Sequence, residues 1–185
     1  MRIRSLCTAL MLGLSCSVVS AQPSAEVQTV PKVDLERYVG KWYEIANFPM
    51  FFQRKCVGDT TAEYAANADG TIAVKNRCRE EDGTFNEADG TATVVENSGN
   101  AKLEVSFFKP FKGDYWVIGL DPEYKWSVVG APNRKYLWIL SRTPTLDAAS
   151  LEQALAAAKA QGYTFEELRY TKQDGKTSEP ASAPK

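Results

Sequence analysis

Four cysteines, at positions 7, 16, 56 and 78, carry the most reactive side chains of the 185-residue sequence, and no histidine accompanies them. Without imidazole, Cys-His, Ser-His-Asp and HExxH chemistry are all excluded, as is a histidine pH switch. What remains is a disulfide, a free thiol, or acid and base work by Asp and Glu. Lys plus Arg number 22 against 23 Asp plus Glu, and no long basic run is interleaved with aromatics. Nucleic acid is therefore not an expected partner. Hydrophobic residues at 44% and charged residues at 24% are ordinary for one globular domain.

The first residues address the chain rather than build it. Arg2 and Arg4 precede an apolar stretch, Leu6 to Val19, and Val19-Ser20-Ala21 forms an A-x-A-like cleavage site. The stretch is shorter than the roughly 20 residues that span a bilayer. Residues 1–21 are read as a signal peptide for export to the periplasm, with the outer membrane as a possible place of association. A lipid anchor at Cys16 is the alternative, but Gly13 stands where such signals usually carry an aliphatic residue, so cleavage after Ala21 is favoured. Losing Arg2 and Arg4 shifts the formal net charge from −1 to −3. Cys7 and Cys16 leave with the signal, and Cys56 and Cys78 remain as an even pair in an oxidising compartment, most simply one disulfide. The competing readings are a free nucleophile and a metal site, for which two cysteines without histidine are too few. No metal and no cofactor are expected.

The termini, residues 22–32 and 172–185, are polar with Pro, Ser and Lys, and are expected to be flexible and to add little to a core. Between them, period-two alternation separated by turn residues predicts eight strands. They run Lys41–Phe48, Gly58–Ala65, Thr71–Arg77, Asn86–Glu96, Lys102–Phe108, Asp114–Leu120, Lys125–Gly130 and Tyr136–Ser141. The connecting turns, such as Asn67-Ala68-Asp69-Gly70 and Asp82-Gly83, suit consecutive hairpins. A meander of this size is either an open sheet with two edges or a closed barrel with room for one small ligand.

Alternation assigns an apolar inner face. Leu103, Val105 and Phe107 alternate with Lys102, Glu104 and Ser106, and Ala62 and Tyr64 with Thr61 and Glu63. Tyr115 and Val117, and Tyr136 and Trp138, take matching positions, but there the other face (Trp116, Ile118, Leu137, Ile139) is apolar as well and needs a cover. A helix from Asp147 to Gln161, capped by Thr145 and stopped by Gly162, supplies it with a stripe of Ala148, Leu151, Leu155 and Ala158. A ninth strand, Phe165–Thr171, follows.

Three segments then carry a family likeness: Gly40-Lys41-Trp42-Tyr43-Glu44-Ile45-Ala46, Leu120-Asp121-Pro122-Glu123-Tyr124 and Ile139-Leu140-Ser141-Arg142-Thr143-Pro144. In order and spacing they resemble the signature segments of the lipocalins, with closest similarity to bacterial members of the apolipoprotein D-like branch, over Val33 to Thr171. The resemblance implies an all-β fold: an eight-stranded antiparallel up-and-down barrel with the helix packed outside and a short ninth strand. Antiparallel alternation brings all three segments to one end. Gly40, Trp42 and Arg142 are then expected to lock the floor, with the Arg142 guanidinium across the Trp42 indole. Cys56 and Cys78 fall at the open end, where their disulfide would tie the first loop to the third strand.

The implied function is binding, storage or transport of a small hydrophobic ligand, with fatty acids or lysophospholipids favoured, and no enzymatic activity. Ala62, Tyr64, Leu103, Val105, Phe107, Tyr115, Val117, Tyr136 and Trp138 are the expected lining, with tight packing around no cavity as the competing role for each. Lys55, Lys109, Lys112, Arg134 and Lys135 fall on open-end loops, where they would favour anionic heads weakly. Two rivals remain: a lipocalin-like enzyme acting on a lipid through Cys56 or a carboxylate, and a filled barrel acting as an interaction module. In the second, Phe48, Met50, Phe51 and Phe52 would touch a membrane or a second subunit as a homodimer; the same loop could instead be a lid.

Overall fold

The computed structural model describes residues 26–175. The expected signal segment, with Cys7 and Cys16, and the tail from residue 176 lie outside them. One turn of helix, α1 (Leu35–Tyr38), leads into eight strands: β1 (Gly40–Asn47), β2 (Gly58–Ala66), β3 (Ile72–Arg79), β4 (Phe85–Val94), β5 (Lys102–Phe108), β6 (Phe111–Leu120), β7 (Trp126–Gly130) and β8 (Leu137–Ser141). A second helix, α2 (Ala148–Ala160), and a two-residue strand, β9 (Arg169–Tyr170), complete the fold. Each strand pairs antiparallel with the next, and β1 pairs with both β2 and β8, so the sheet closes on itself. Closure leaves no β1 or β8 edge.

Turn chemistry sets the meander. Asp69 accepts from the Thr71 amide at 2.9 Å and its hydroxyl at 2.6 Å, and Asp82 does the same for Thr84 at the same distances. These bonds hold both carboxyls below their ordinary range. The ladder continues further into two hairpins than alternation indicates, with Arg79 opposite Phe85 and Phe108 opposite Phe111.

Two apolar cores result. Inside the barrel, residues of one parity meet across the ladders: Tyr64 with Val74, Ala92 with Val105, Leu103 with Tyr115, Val117 with Val129. Outside, Ile118, Leu137 and Ile139 pack beneath Ala154, Ala158 and Tyr163, so α2 is the cover that the doubly apolar strands require.

Four expectations are corrected. The helix cap is Asp147, which accepts from the Ser150 amide at 2.9 Å; a carboxylate placed there outcompetes Thr145. The ninth strand is only Arg169–Tyr170, because Phe165 and Leu168 owe their apolar character to packing against the outer core and not to a ladder. Residues 26–32 are not apart from the core: Val27 fills the outer core, and the Val30 amide donates to the Val117 carbonyl at 2.9 Å. Residues 172–175 are likewise bound. Above Tyr43 opposite Thr61, β1 and β2 no longer pair, and the chain from Thr171 to Gly175 fills the seam between them.

Candidate functional site

Strand direction orders the interior by height. The floor is built from the three signature segments together with α1. Trp42 is fully buried; its indole N–H donates to the Tyr38 carbonyl at 2.8 Å, and the Arg142 guanidinium lies 3.8 Å from its ring centroid. Arg142 also donates to the carbonyls of Lys41 at 3.0 Å, Arg37 at 2.5 Å and Tyr38 at 3.1 Å, which ties strand ends to α1. Gly40, at φ 93°, takes a backbone conformation that side chains rarely adopt, turning the chain from α1 into β1. Tyr124 completes the floor: its hydroxyl accepts from the Asp34 amide at 2.8 Å, and the Arg37 guanidinium stacks 4.0 Å above its ring.

Above the floor a chain of hydroxyls crosses the barrel. Tyr64 bonds Tyr115 at 3.0 Å, Tyr115 bonds Tyr38 at 2.9 Å, and Tyr38 bonds Ser127 at 2.9 Å. Burial keeps the three phenols neutral, pushing Tyr38 up to about 12 and the other two upward. The enclosed space beside them is about 10 Å³, lined by Tyr64, Leu103, Val105 and Tyr115 together with Tyr38 and Leu35. That is room for about one water molecule. The lower barrel is therefore packed.

The other expected lining residues divide by height. Val117 is fully buried in the interior core, with Ala62 and Trp138 partly buried against it. Phe107 sits at the rim, its ring over Gly90. Tyr136 and Trp138 stack with ring centroids 6.0 Å apart, and Phe52 continues the stack onto Tyr136 at 6.4 Å. The first loop divides its roles. Phe48 and Met50 point into the protein, whereas Phe51 and Phe52 stand in solvent on a single 3₁₀ turn, Phe51–Gln53.

Two polar features at this level have no counterpart in the alternation pattern. The Glu44 carboxyl lies inside the wall, accepting from Gln53 of the first loop at 2.8 Å and from the Thr171 hydroxyl at 2.5 Å. Burial pushes it above the ordinary carboxylate range, and those two bonds pull it partly back. On the seam, Asp59 receives the Arg79 guanidinium at 2.7 Å and the amides of Asp174 at 2.7 Å and Gly175 at 3.1 Å. Gly58 makes room for this strap, since a Cβ there would lie 2.7 Å from the Lys172 carbonyl oxygen. Only the acid of Gly-x-Trp-Tyr-Glu, placed among apolar neighbours, signals Glu44 in the sequence.

Of the rim cations, Lys112 pairs with Glu104 at 2.7 Å and Arg134 donates to the Gln161 carbonyl at 2.7 Å, which leaves Lys55, Lys109 and Lys135 more exposed to the mouth. Cys56 and Cys78 are joined across a sequence separation of 22, tying the first loop to β3. Reducing this bond, or replacing both cysteines by serine, is expected to lower stability by about 3 kcal/mol. Urea unfolding of oxidised and reduced protein measures it, and coincident curves would mean that the tie adds nothing.

Residues 33–173 match the model of the lipocalin-like domain. The chain is 40% identical over 167 residues to temperature-induced lipocalin-1 of Arabidopsis thaliana, covering 86% of this chain and 89% of that one. It is also 40% identical over 170 residues to the outer membrane lipoprotein Blc of Vibrio cholerae, covering 91% and 95%. Among solved structures, insecticyanin from the tobacco hornworm Manduca sexta superposes with a TM-score of 0.66 at 20% identity, over 80% of this chain and 85% of that one.

Proposed function

Since the chain belongs to the lipocalin family, we propose that it binds and carries a single-chain lipid, a fatty acid or a lysophospholipid, with the acyl chain in the upper barrel and the polar head at the rim. The observation that carries this reading is a closed barrel with a packed floor and an opposite mouth walled by Phe107, Tyr136 and Trp138. Apolar area removed from water supplies affinity at roughly 25 cal/mol per Å². Catalysis is not part of this reading: of the groups an enzyme could use, the Cys56 thiol is consumed in the disulfide and the buried Glu44 carboxyl is held by Gln53 and Thr171. Relatives named outer membrane lipoproteins support a place in the cell envelope, and they give lipidation at Cys16 more weight than residue 13 alone does.

Titration with a fluorescent fatty acid is expected to saturate at one ligand per chain and to quench Trp138. Lysophospholipids should compete with it, and neutral alcohols of equal chain length should compete only slightly less well. Trp138→Ala is expected to weaken binding about tenfold. The small enclosed volume of about 10 Å³ favours one second reading, a filled barrel that acts through its surface. If no single-chain lipid binds and the tryptophan signal does not move, that reading replaces the first.

A further inference from the structure

The open end carries a surface that ligand binding does not use. Phe51 (77% exposed) and Phe52 (55%) stand on the β1–β2 loop, and Phe108 (79%) and Phe111 (73%) stand at the β5–β6 hairpin. In the closed ring of strands these two connections lie on opposite sides of the mouth. Exposed apolar groups on this scale, gathered at one end, mark a contact surface. Phe48 and Met50, which the sequence places in the same patch, are buried and take no part.

Charge distribution indicates what the surface meets. Arg54 and Lys55 directly follow the first ring pair, and Lys109 lies between Phe108 and Phe111; all three are exposed. The nearest acidic residues are Glu80, Glu81 and Asp82 of the β3–β4 turn, a quarter of the way round, where Asp82 interacts with Lys55. Glu104 is held by Lys112, and Asp114 lies below the hairpin tip. Phenylalanines interleaved with Lys and Arg suit the boundary between headgroups and acyl chains, with the rings below it and the cations at anionic phosphates.

We propose that the open end of the barrel is a docking face for an anionic lipid bilayer. Phe51, Phe108 and Phe111 enter the membrane from opposite sides of the mouth, and Arg54, Lys55 and Lys109 contact its headgroups. The acidic β3–β4 turn tilts away, so the face seats on the side of Tyr136 and Lys135. A second copy of the chain fits less well. Two such faces brought together would set the Arg54, Lys55 and Lys109 of one copy against those of the other, whereas anionic headgroups complement them. The mouth then opens directly onto lipid. This docking is independent of which ligand the barrel holds.

Vesicle flotation of the processed full chain tests it, with phosphatidylcholine vesicles carrying or lacking phosphatidylglycerol. The wild type is expected to float with the anionic vesicles. A triple variant, F51S/F108S/F111S, should lose at least about tenfold in partitioning, because each ring is solvent-facing and its removal leaves the fold intact. Replacing Arg54, Lys55 and Lys109 by glutamine should weaken binding to the anionic vesicles alone, as should added salt. Uptake of a fluorescent fatty acid in vesicle-free buffer should be equal in wild type and triple variant, so flotation reads docking alone. Flotation unchanged in the triple variant, or absent in the wild type, overturns the proposal. So does a dimer seen by sedimentation that the triple substitution abolishes without changing flotation.

Discussion

Replacing Trp42 by alanine is expected to remove about 3–5 kcal/mol of stability, the range for truncating a large buried aromatic. Three losses combine at this position. The indole fills the floor at zero exposure, its N–H satisfies the Tyr38 carbonyl at 2.8 Å, and its face supports the Arg142 guanidinium at 3.8 Å. A domain of this kind has roughly 5–15 kcal/mol in all, so the variant unfolds at much lower urea. Arg142→Ala should cost less, about 2 kcal/mol for its charge-assisted bonds to three carbonyls. In a double-mutant cycle the pair should couple by about 1–2 kcal/mol. Strict additivity would show that the stacking contributes nothing.

Arg79→Ala should be the next largest loss, because it strips the cation from a buried carboxylate. Asp59 is almost wholly enclosed, at 3% side-chain exposure, and Arg79 at 14% is its ion-pair partner. The loss should be local first. Hydrogen exchange at the Thr171 amide, which donates to the Ile45 carbonyl, should quicken before the barrel melts. The outer arm of the same cluster behaves differently: Asp174, with its side chain at 46% exposure, should cost less than about 1 kcal/mol on replacement by asparagine. Equal effects at Arg79 and Asp174 would contradict a latch centred on Asp59.

The strands were legible in the sequence because their inner face repeats every second residue, as in Leu103, Val105 and Phe107, whereas closure into a barrel followed from the resemblance of the segments around Trp42 and Arg142 to those of the lipocalins. The disulfide was legible from the even pair and its place beside one hairpin. Elsewhere the governing contacts are distant or too short to leave a pattern. Helix α1 is one turn, and only Asp34, its cap, announces it. Val27 and Val30 are two valines in a polar stretch whose average composition conceals them. Phe107, Phe108 and Phe111 are apolar alike, and nothing local separates a ring over Gly90 from two that face water. Glu44 and the residues from Thr171 to Gly175 explain one another only once the seam brings them together.

That seam also makes one wall of the barrel depend on a distant stretch of chain. The bond between Thr171 and Glu44 spans 127 residues, and that between Asp174 and Asp59 spans 115. Above Tyr43 the ring is closed by this stretch and not by a ladder between β1 and β2. Ending the chain before Thr171 should therefore keep all eight strands, open a cleft between β1 and β2, and return the Glu44 carboxyl, now bonded by Thr171, to water and to its ordinary acidity.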